Sequence, residues 1–219
     1  LLPATAIRYE DVWTDPVAAG RAPDAAFAYD YLDLETTAPT SPDCVTAWRA
    51  GCRITIHYER HIHPLWSKPR VTLAADGTVL RDDTCVACHS ARAADGTTRV
   101  PAAQLELTDG PSADVPTHFH AYRELLATDA EQEVVNGALQ DRLVQTGVDP
   151  VTGLPQFSTV PVAPSLRAGS AGSSVSFFAL FAPDGTHAGR LNPAELKLVS
   201  EWTDIGAQYF NDPFLAPLN

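Results

Sequence analysis

Apolar residues in the second half of the chain recur with the spacing of an amphipathic helix. In residues 129–145 they fall on one face of such a helix, namely Val134, Val135, Ala138, Leu139 and Leu143. Asp129 precedes this pattern in the position of an N-cap, and Gly147 follows it. We therefore predict a helix over residues 129–145 and, from a similar but shorter pattern, another over residues 118–127.

The last periodic segment of the chain begins at Asn192. Pro193 occupies the first helical position and Glu195 lies three residues after the cap, which is the pattern of a capping box. The residues that follow on one face are Leu196, Val199, Trp202, Thr203, Gly206 and Tyr209. This pattern predicts a C-terminal helix with an apolar face toward the core.

Weaker signals organise the rest of the chain. An Asp-Gly pair predicts a β-hairpin over residues 72–80. We also predict a short helix over residues 58–66, which Pro64 bends or ends. Residues 148–176 contain four Pro and three Gly, and predict a long loop. We divide the chain into an irregular N-terminal extension packed on the core, residues 1–53, and a domain of residues 54–219. The predicted fold class is mainly α, with long irregular loops and short β-hairpins.

Charge and composition narrow the function. The net charge of the 219 residues is −12, which argues against nucleic acid, because phosphates require Lys and Arg, and suits a basic redox partner. No run of eighteen apolar residues exists, so no membrane span is predicted. The sequence begins with Leu1 and contains no Met, from which we expect a removed signal peptide or a piece of a longer chain.

The sequence Cys85-Val86-Ala87-Cys88-His89 carries the most specific chemistry in the chain. Two thiols about one helical turn apart can add to the two vinyl groups of a haem, and the following His supplies the proximal nitrogen to the iron. We predict one covalently attached haem c. Two alternatives are half of a zinc site, which lacks a second Cys pair of matching spacing, and a thioredoxin-like redox site, which lacks its βαβ context.

The other two cysteines, Cys44 and Cys52, are separated by seven residues. This spacing suits a local disulfide that closes a turn, and an exported protein permits such a bond. Free buried thiols are the alternative.

The sixth iron ligand cannot be Met, because the chain contains none. The iron is therefore predicted to have a second His, a weaker ligand or an open position. The candidates are His57, His61, His63, His118, His120 and His187. His57 and His61 would share one face of a helix.

Two segments resemble parts of bacterial class I-type cytochrome c domains. Residues 191–209, with Leu191, Glu201, Trp202 and the Gly206-Ala207 pair, are similar to the last helix of that family. Residues 58–66 resemble the segment that precedes its haem motif. The resemblance implies a cytochrome c-like helical haem core. His187 stands nearest to the position of the family's Met ligand, so it is our first choice as distal ligand, with His61 as the alternative.

Residues 58–66, followed by a delayed Cys motif, also resemble the haem-bearing middle domain of the hydrazine synthase alpha subunit and its relatives. That domain has a Tyr ligand four residues after the motif His. In this sequence the position is Ala93, which has no atom able to bind iron.

These observations predict an exported, mono-haem c-type cytochrome that transfers single electrons with two axial His ligands, alone or as a subunit of a redox complex. The expected partners are redox proteins, including other cytochrome subunits, and the expected location is the bacterial periplasm or the cell exterior. The alternatives are a haem enzyme or small-ligand-binding domain with an open distal site, hydrazine-synthase-like or peroxidase-like, and a structural haem domain that docks to other subunits.

Overall fold

The computed structural model describes residues 8–23, 27–28 and 30–212. Helices account for 27% of the structure and strands for 17%. The prediction of a mainly α fold is therefore wrong, because a substantial part of the second half of the chain forms strands. In the part of the chain that is described, the α-helices are α1 (Pro16–Ala19), α2 (Pro42–Thr46), α3 (His63–Ser67), α4 (Cys85–Cys88), α5 (His120–Leu126), α6 (Val175–Ala179) and α7 (Pro193–Asp204).

Other helical turns and all strands are short. A π-helix spans Tyr58–Ile62, and 3₁₀ turns span Ala102–Gln104 and Ala171–Ser174. The strands are β1 (Arg8–Tyr9), β2 (Phe27–Ala28), β3 (Val71–Leu73), β4 (Val79–Asp82), β5 (Asp129–Ala130), β6 (Gln132–Val135), β7 (Ala138–Asp141), β8 (Leu143–Val148), β9 (Pro155–Thr159) and β10 (Pro161–Val162). Each described sheet has two antiparallel strands, in the pairs β1–β2, β3–β4, β5–β10, β6–β7 and β8–β9.

The predicted helix over residues 129–145 is replaced by β5, β6, β7 and the start of β8. The physical reason is the turn between β6 and β7, where Asn136 has φ 53° and Gly137 has φ 81°. Two successive residues with positive φ form the tight turn of a hairpin and cannot continue a right-handed helix. The loop predicted over residues 148–176 is also partly wrong, because it contains β9 and β10.

Segments with strong local signals fold as expected. The hairpin predicted over residues 72–80 is confirmed by the pairing of β3 with β4. The capping box of the C-terminal helix is confirmed too: the Asn192 side chain accepts from the Glu195 backbone, and the Glu195 side chain accepts from the Asn192 backbone. Residues 58–66 are helical as predicted, as the π-helix followed by α3, and Pro64 lies in the first turn of α3.

The hydrophobic core lies where the π-helix, α3, α5 and α7 meet. Tyr58, Trp66 and Trp202 are buried there, and the rings of Tyr58 and Trp202 lie 5.4 Å apart. Tyr31 of the N-terminal segment is buried in the same cluster. The core therefore includes part of residues 1–53, which were predicted as an extension packed on it.

An ion-pair network closes one side of this core. The Glu195 carboxylate, whose side chain is 1% exposed, contacts Lys68 Nζ at 2.9 Å and Arg70 Nη2 at 3.1 Å. Arg70 also donates to the carbonyl oxygens of Leu65 and Lys68. The network joins the start of α7 to the chain that leaves α3, and so fixes the base of the hairpin that precedes the Cys motif.

No described helix has both the length and the apolar character needed to cross a membrane.

Candidate functional site

The Cys motif forms a single helical turn, α4. The His89 N–H donates to the Cys85 carbonyl at 2.9 Å, which closes the turn, and the two thiols are free. Arg99 fixes the end of this turn, since its Nε donates to Ser90 O at 2.9 Å and its Nη2 donates to Ala87 O at 2.5 Å. Cys85 is partly buried and Cys88 is exposed. Both thiols are therefore held one turn apart on a short, anchored helix.

His89 is oriented by the backbone that follows α4. Its Nδ1 lies 3.1 Å from the Leu105 carbonyl oxygen, and its own carbonyl accepts from the Leu107 N–H at 2.9 Å. A carbonyl oxygen can only accept, so Nδ1 of His89 carries the proton. In the neutral ring the lone pair is then on Nε2, and a His fixed in this way is a ready metal ligand.

His187 faces His89 although 98 positions (187 minus 89) separate them in the sequence. Their ring centroids are 6.1 Å apart, with 32° between the ring planes. The His187 N–H donates to Leu180 O at 2.8 Å, its Nδ1 lies 3.0 Å from the Thr186 hydroxyl, and Phe181 packs at 5.7 Å from its ring. The loop before α7 thus presents His187 toward the Cys motif.

Gly185 allows this loop to approach the end of α6. A Cβ at position 185 would collide with the carbonyl oxygens of Ala179 and Leu180. The Leu180 carbonyl oxygen is also the acceptor for the His187 N–H. The missing side chain at position 185 therefore allows the close approach that holds His187 in place.

The electrostatics of the site favour neutral imidazoles and protonated thiol. Burial is the main cause that lowers the pKa of His89 and of His187, and the positive charge of Arg190 lowers both further. Burial also raises the pKa of Cys85. A redox-active dithiol of the thioredoxin type works with a lowered thiol pKa, so this environment does not favour that alternative.

His61, the other predicted distal ligand, occupies a different environment. It is 4% exposed in the π-helix, and its Nδ1 accepts from the His57 N–H at 2.9 Å. Burial, followed by the charge of His57, lowers the pKa of His61 to about 4. With Nδ1 accepting, the neutral ring carries its proton on Nε2 and has no lone pair left for a metal. In the described part of the chain His61 makes no ring contact with His89.

The remaining histidines pack on other groups. His63 lies against Phe119 at 4.8 Å, His118 stacks on Tyr209 at 4.1 Å, and His120 Nε2 lies 3.1 Å from Glu124. His57 stacks on His61 at 5.7 Å. The structure therefore brings together Cys85, Cys88, His89 and His187, and leaves the other His outside that group.

The donor set fits a covalently attached haem. It offers two thiols one turn apart, a proximal imidazole with a free lone pair and a second imidazole opposite, beside the apolar Val86 and Phe181. Across residues 8–23, 27–28 and 30–212, no group of three or more His, Cys, Asp or Glu is arranged to hold a metal ion.

Cys44 and Cys52 form a disulfide with a Cα–Cα distance of 5.9 Å, and both are 5% exposed. The disulfide belongs to the N-terminal segment and makes no described contact with the Cys motif. Three features of the site have no signal in the motif spacing. They are the Leu105 carbonyl, Arg99 and Arg190, which reach the site through the fold.

No protein-family model matches this chain, and no curated protein or solved structure is detectably similar to it. The case for its function therefore rests on the residues and their geometry.

Proposed function

We propose that this protein is an exported c-type cytochrome that carries one haem on Cys85 and Cys88 and transfers single electrons. His89 and His187 would be the two axial ligands of the iron. The observation that carries the proposal is the distance of 6.1 Å between the ring centroids of these two histidines.

This distance agrees with the space that one metal ion needs between two imidazoles. An imidazole nitrogen lies about 2 Å from the metal that it binds, so two rings on opposite sides of one ion have centroids about 6 Å apart. The proton on Nδ1 of His89 and the lowered pKa values of both rings, caused mainly by burial, favour the neutral form that binds metal.

Each residue of the site has a distinct role in this proposal. Cys85 and Cys88 anchor the group covalently, and Arg99 and the Leu105 carbonyl hold α4 and His89 in place. His187 would be the second iron ligand and would keep substrates away from the iron. When bound, the haem supplies a one-electron couple whose axial ligands need not change on reduction, which suits an electron carrier.

A second His ligand would favour a carrier over a haem enzyme, because an enzyme needs an open iron position. Export is part of the same proposal, since haem c is attached outside the cytoplasm and the Cys44–Cys52 disulfide is compatible with an oxidising compartment. The partners would be redox proteins, and the net charge of −12 suits a basic partner surface.

The test is an absorption spectrum of the oxidised and reduced protein, with and without carbon monoxide, after production in a host competent for haem attachment. We expect a low-spin spectrum with sharp reduced α and β bands and no response to carbon monoxide. A wild-type protein that is high-spin and binds carbon monoxide would transfer the proposal to a haem enzyme or gas-binding domain. Material without haem would overturn it.

Two variants identify the distal ligand. His187→Ala should open the iron, giving a high-spin spectrum that shifts with carbon monoxide, because no other described His faces His89. His61→Ala is the matched control and should leave the spectrum unchanged. The reverse result would make His61 the ligand.

A further inference from the structure

Two guanidinium groups pair with one carboxylate beside the candidate site. Asp83, 9% exposed, accepts from two guanidinium groups: Arg81 Nε lies 2.5 Å from its Oδ2 and Arg190 Nη2 lies 3.4 Å from its Oδ1. Arg99 has hydrogen bonds to carbonyl oxygens and, in the described structure, no carboxylate within 4 Å. Asp83 is thus shared by Arg81 and Arg190, whereas Arg99 is held by carbonyl oxygens.

Arg190 is the member of this group that lies next to His187. It follows His187 by three residues, and its N–H donates to the His187 carbonyl at 3.1 Å. Its side chain is 32% exposed, and the 3.4 Å contact with Asp83 engages one of its guanidinium nitrogens. Its other N–H groups can therefore bind a second acceptor.

We propose that Arg190 binds a carboxylate of the haem, one of the two propionate side chains that every haem c carries. The inference rests on the proposed function and adds an anion-binding residue to it. A guanidinium is suited to this task, because its planar set of donors matches the two oxygens of a carboxylate. Arg190 shares Asp83 with Arg81, so its positive charge can also offset part of the charge that a propionate brings.

The positive charge of Arg190 at this contact also affects how easily the haem iron is reduced. Adding an electron to the iron is favoured by a nearby positive charge, so Arg190 stabilises the reduced form. Loss of Arg190 should shift the reduction equilibrium toward the oxidised protein by roughly fivefold, as expected for a partly exposed charge.

The experiment compares Arg190→Gln, Arg190→Lys and Arg81→Gln in the holoprotein. Haem content and the visible spectrum are measured first, followed by a redox titration and by the resonance Raman band of the propionate bending mode. Arg190→Gln should keep the low-spin spectrum, favour the oxidised form and shift the propionate band. Arg190→Lys should restore most of the redox equilibrium, because it keeps the charge. Arg81→Gln, which removes the other partner of Asp83, should change the redox equilibrium and the propionate band little.

Three results would overturn the inference. They are equal redox shifts in Arg81→Gln and Arg190→Gln, an unchanged propionate band in Arg190→Gln, and an unchanged redox equilibrium in Arg190→Gln. Failure of the proposed function looks different, since it would appear as missing haem or a high-spin spectrum in the wild-type protein itself.

Discussion

The helical core and the hairpin region of residues 129–162 both contain many apolar residues, yet they bury them to very different extents. In the core, Tyr58, Trp66 and Trp202 are at most 1% exposed. In the hairpin region, Leu143 is 57% exposed and Phe157 is 56% exposed. Both regions contain large apolar side chains, so the presence of such residues does not by itself determine whether they are buried.

The difference lies in what each region packs against. The core joins residues distant in sequence, and Tyr58 contacts Trp202 and Tyr209. The long hairpin of β8 and β9 pairs residues from Leu143 to Thr159 with each other. A two-stranded hairpin has no second layer to cover its apolar face. We infer that stability is concentrated in the core, and that the hairpin region adds surface.

The largest expected effect is a truncation in the core. Trp202→Ala removes a fully buried ring from the contact between α7 and the π-helix. We expect it to lower the free energy of unfolding by about 3–5 kcal/mol, measured by urea denaturation.

Phe157→Ala is the matched control in the hairpin region. Because Phe157 is more than half exposed, the change in the free energy of unfolding should stay within about 0.5 kcal/mol. Equal losses for the two variants would contradict the contrast between the regions.

A smaller change in the free energy of unfolding is expected when an ion pair of the core is broken, and this can be compared with breaking a pair of the hairpin region. Burial alone would raise the pKa of Glu195, but its hydrogen bonds from Lys68 and the Asn192 backbone hold that pKa below its ordinary value. Glu195→Gln should cost about 2–3 kcal/mol at neutral pH, because it leaves two cations without their buried partner. Glu131→Gln breaks the exposed pair with Arg142 in the hairpin region and should cost much less, because solvent screens that pair.

The stabilisation by Glu195 should depend on pH in a definite direction. The pKa of Glu195 is lowered by folding, so its contribution is present above the ordinary Glu pKa of about 4.3 and is lost as the pH falls below it. Thermal unfolding of wild type and Glu195→Gln should therefore converge in acid. A difference that grows as the pH falls would contradict the assignment.

The smallest effect lies at the junction of the two regions, beside a cavity of about 160 Å³ lined in part by His120, Glu124 and Asp129. The hydrogen bond with Glu124 raises the pKa of His120. A raised His pKa means that the stabilisation is complete below the ordinary value of about 6.5 and is lost as the pH rises through the folded value.

His120→Gln should accordingly be more destabilising at pH 5.5 than at pH 8.5, in urea denaturation at both values. The opposite order would show that His120 is not stabilised by its carboxylate neighbours.

The sequence predicted those elements whose signals are local. Asn192, Pro193 and Glu195 lie within four positions of one another, and they predicted the start of α7 correctly. The hairpin of β3 and β4 followed from the Asp-Gly pair. In residues 129–145 two signals competed, since the helical spacing of apolar residues spans Asn136-Gly137, a pair typical of hairpin turns. The spacing alone predicts a helix, and the turn determines the structure.

The candidate site divides in the same way. Cys85, Cys88 and His89 are contiguous, so a motif was enough to predict them. His187 lies in a distant loop, and only a resemblance pointed to it. Arg190 and the Leu105 carbonyl act through tertiary contacts that no spacing rule describes.

The hairpin of β3 and β4 is closed at its base. The Asp83 N–H donates to the Arg70 carbonyl at 2.9 Å, and the Arg70 N–H donates to the Thr84 hydroxyl at 2.9 Å. The two ends of the segment therefore meet just before Cys85, whatever lies between them. Chain length at this place can change without moving the Cys motif, as is typical of surface segments whose ends lie close together. Residues 71–82 are thus a natural position for evolution, or for a protein engineer, to insert a sequence that recognises a new partner beside the candidate haem.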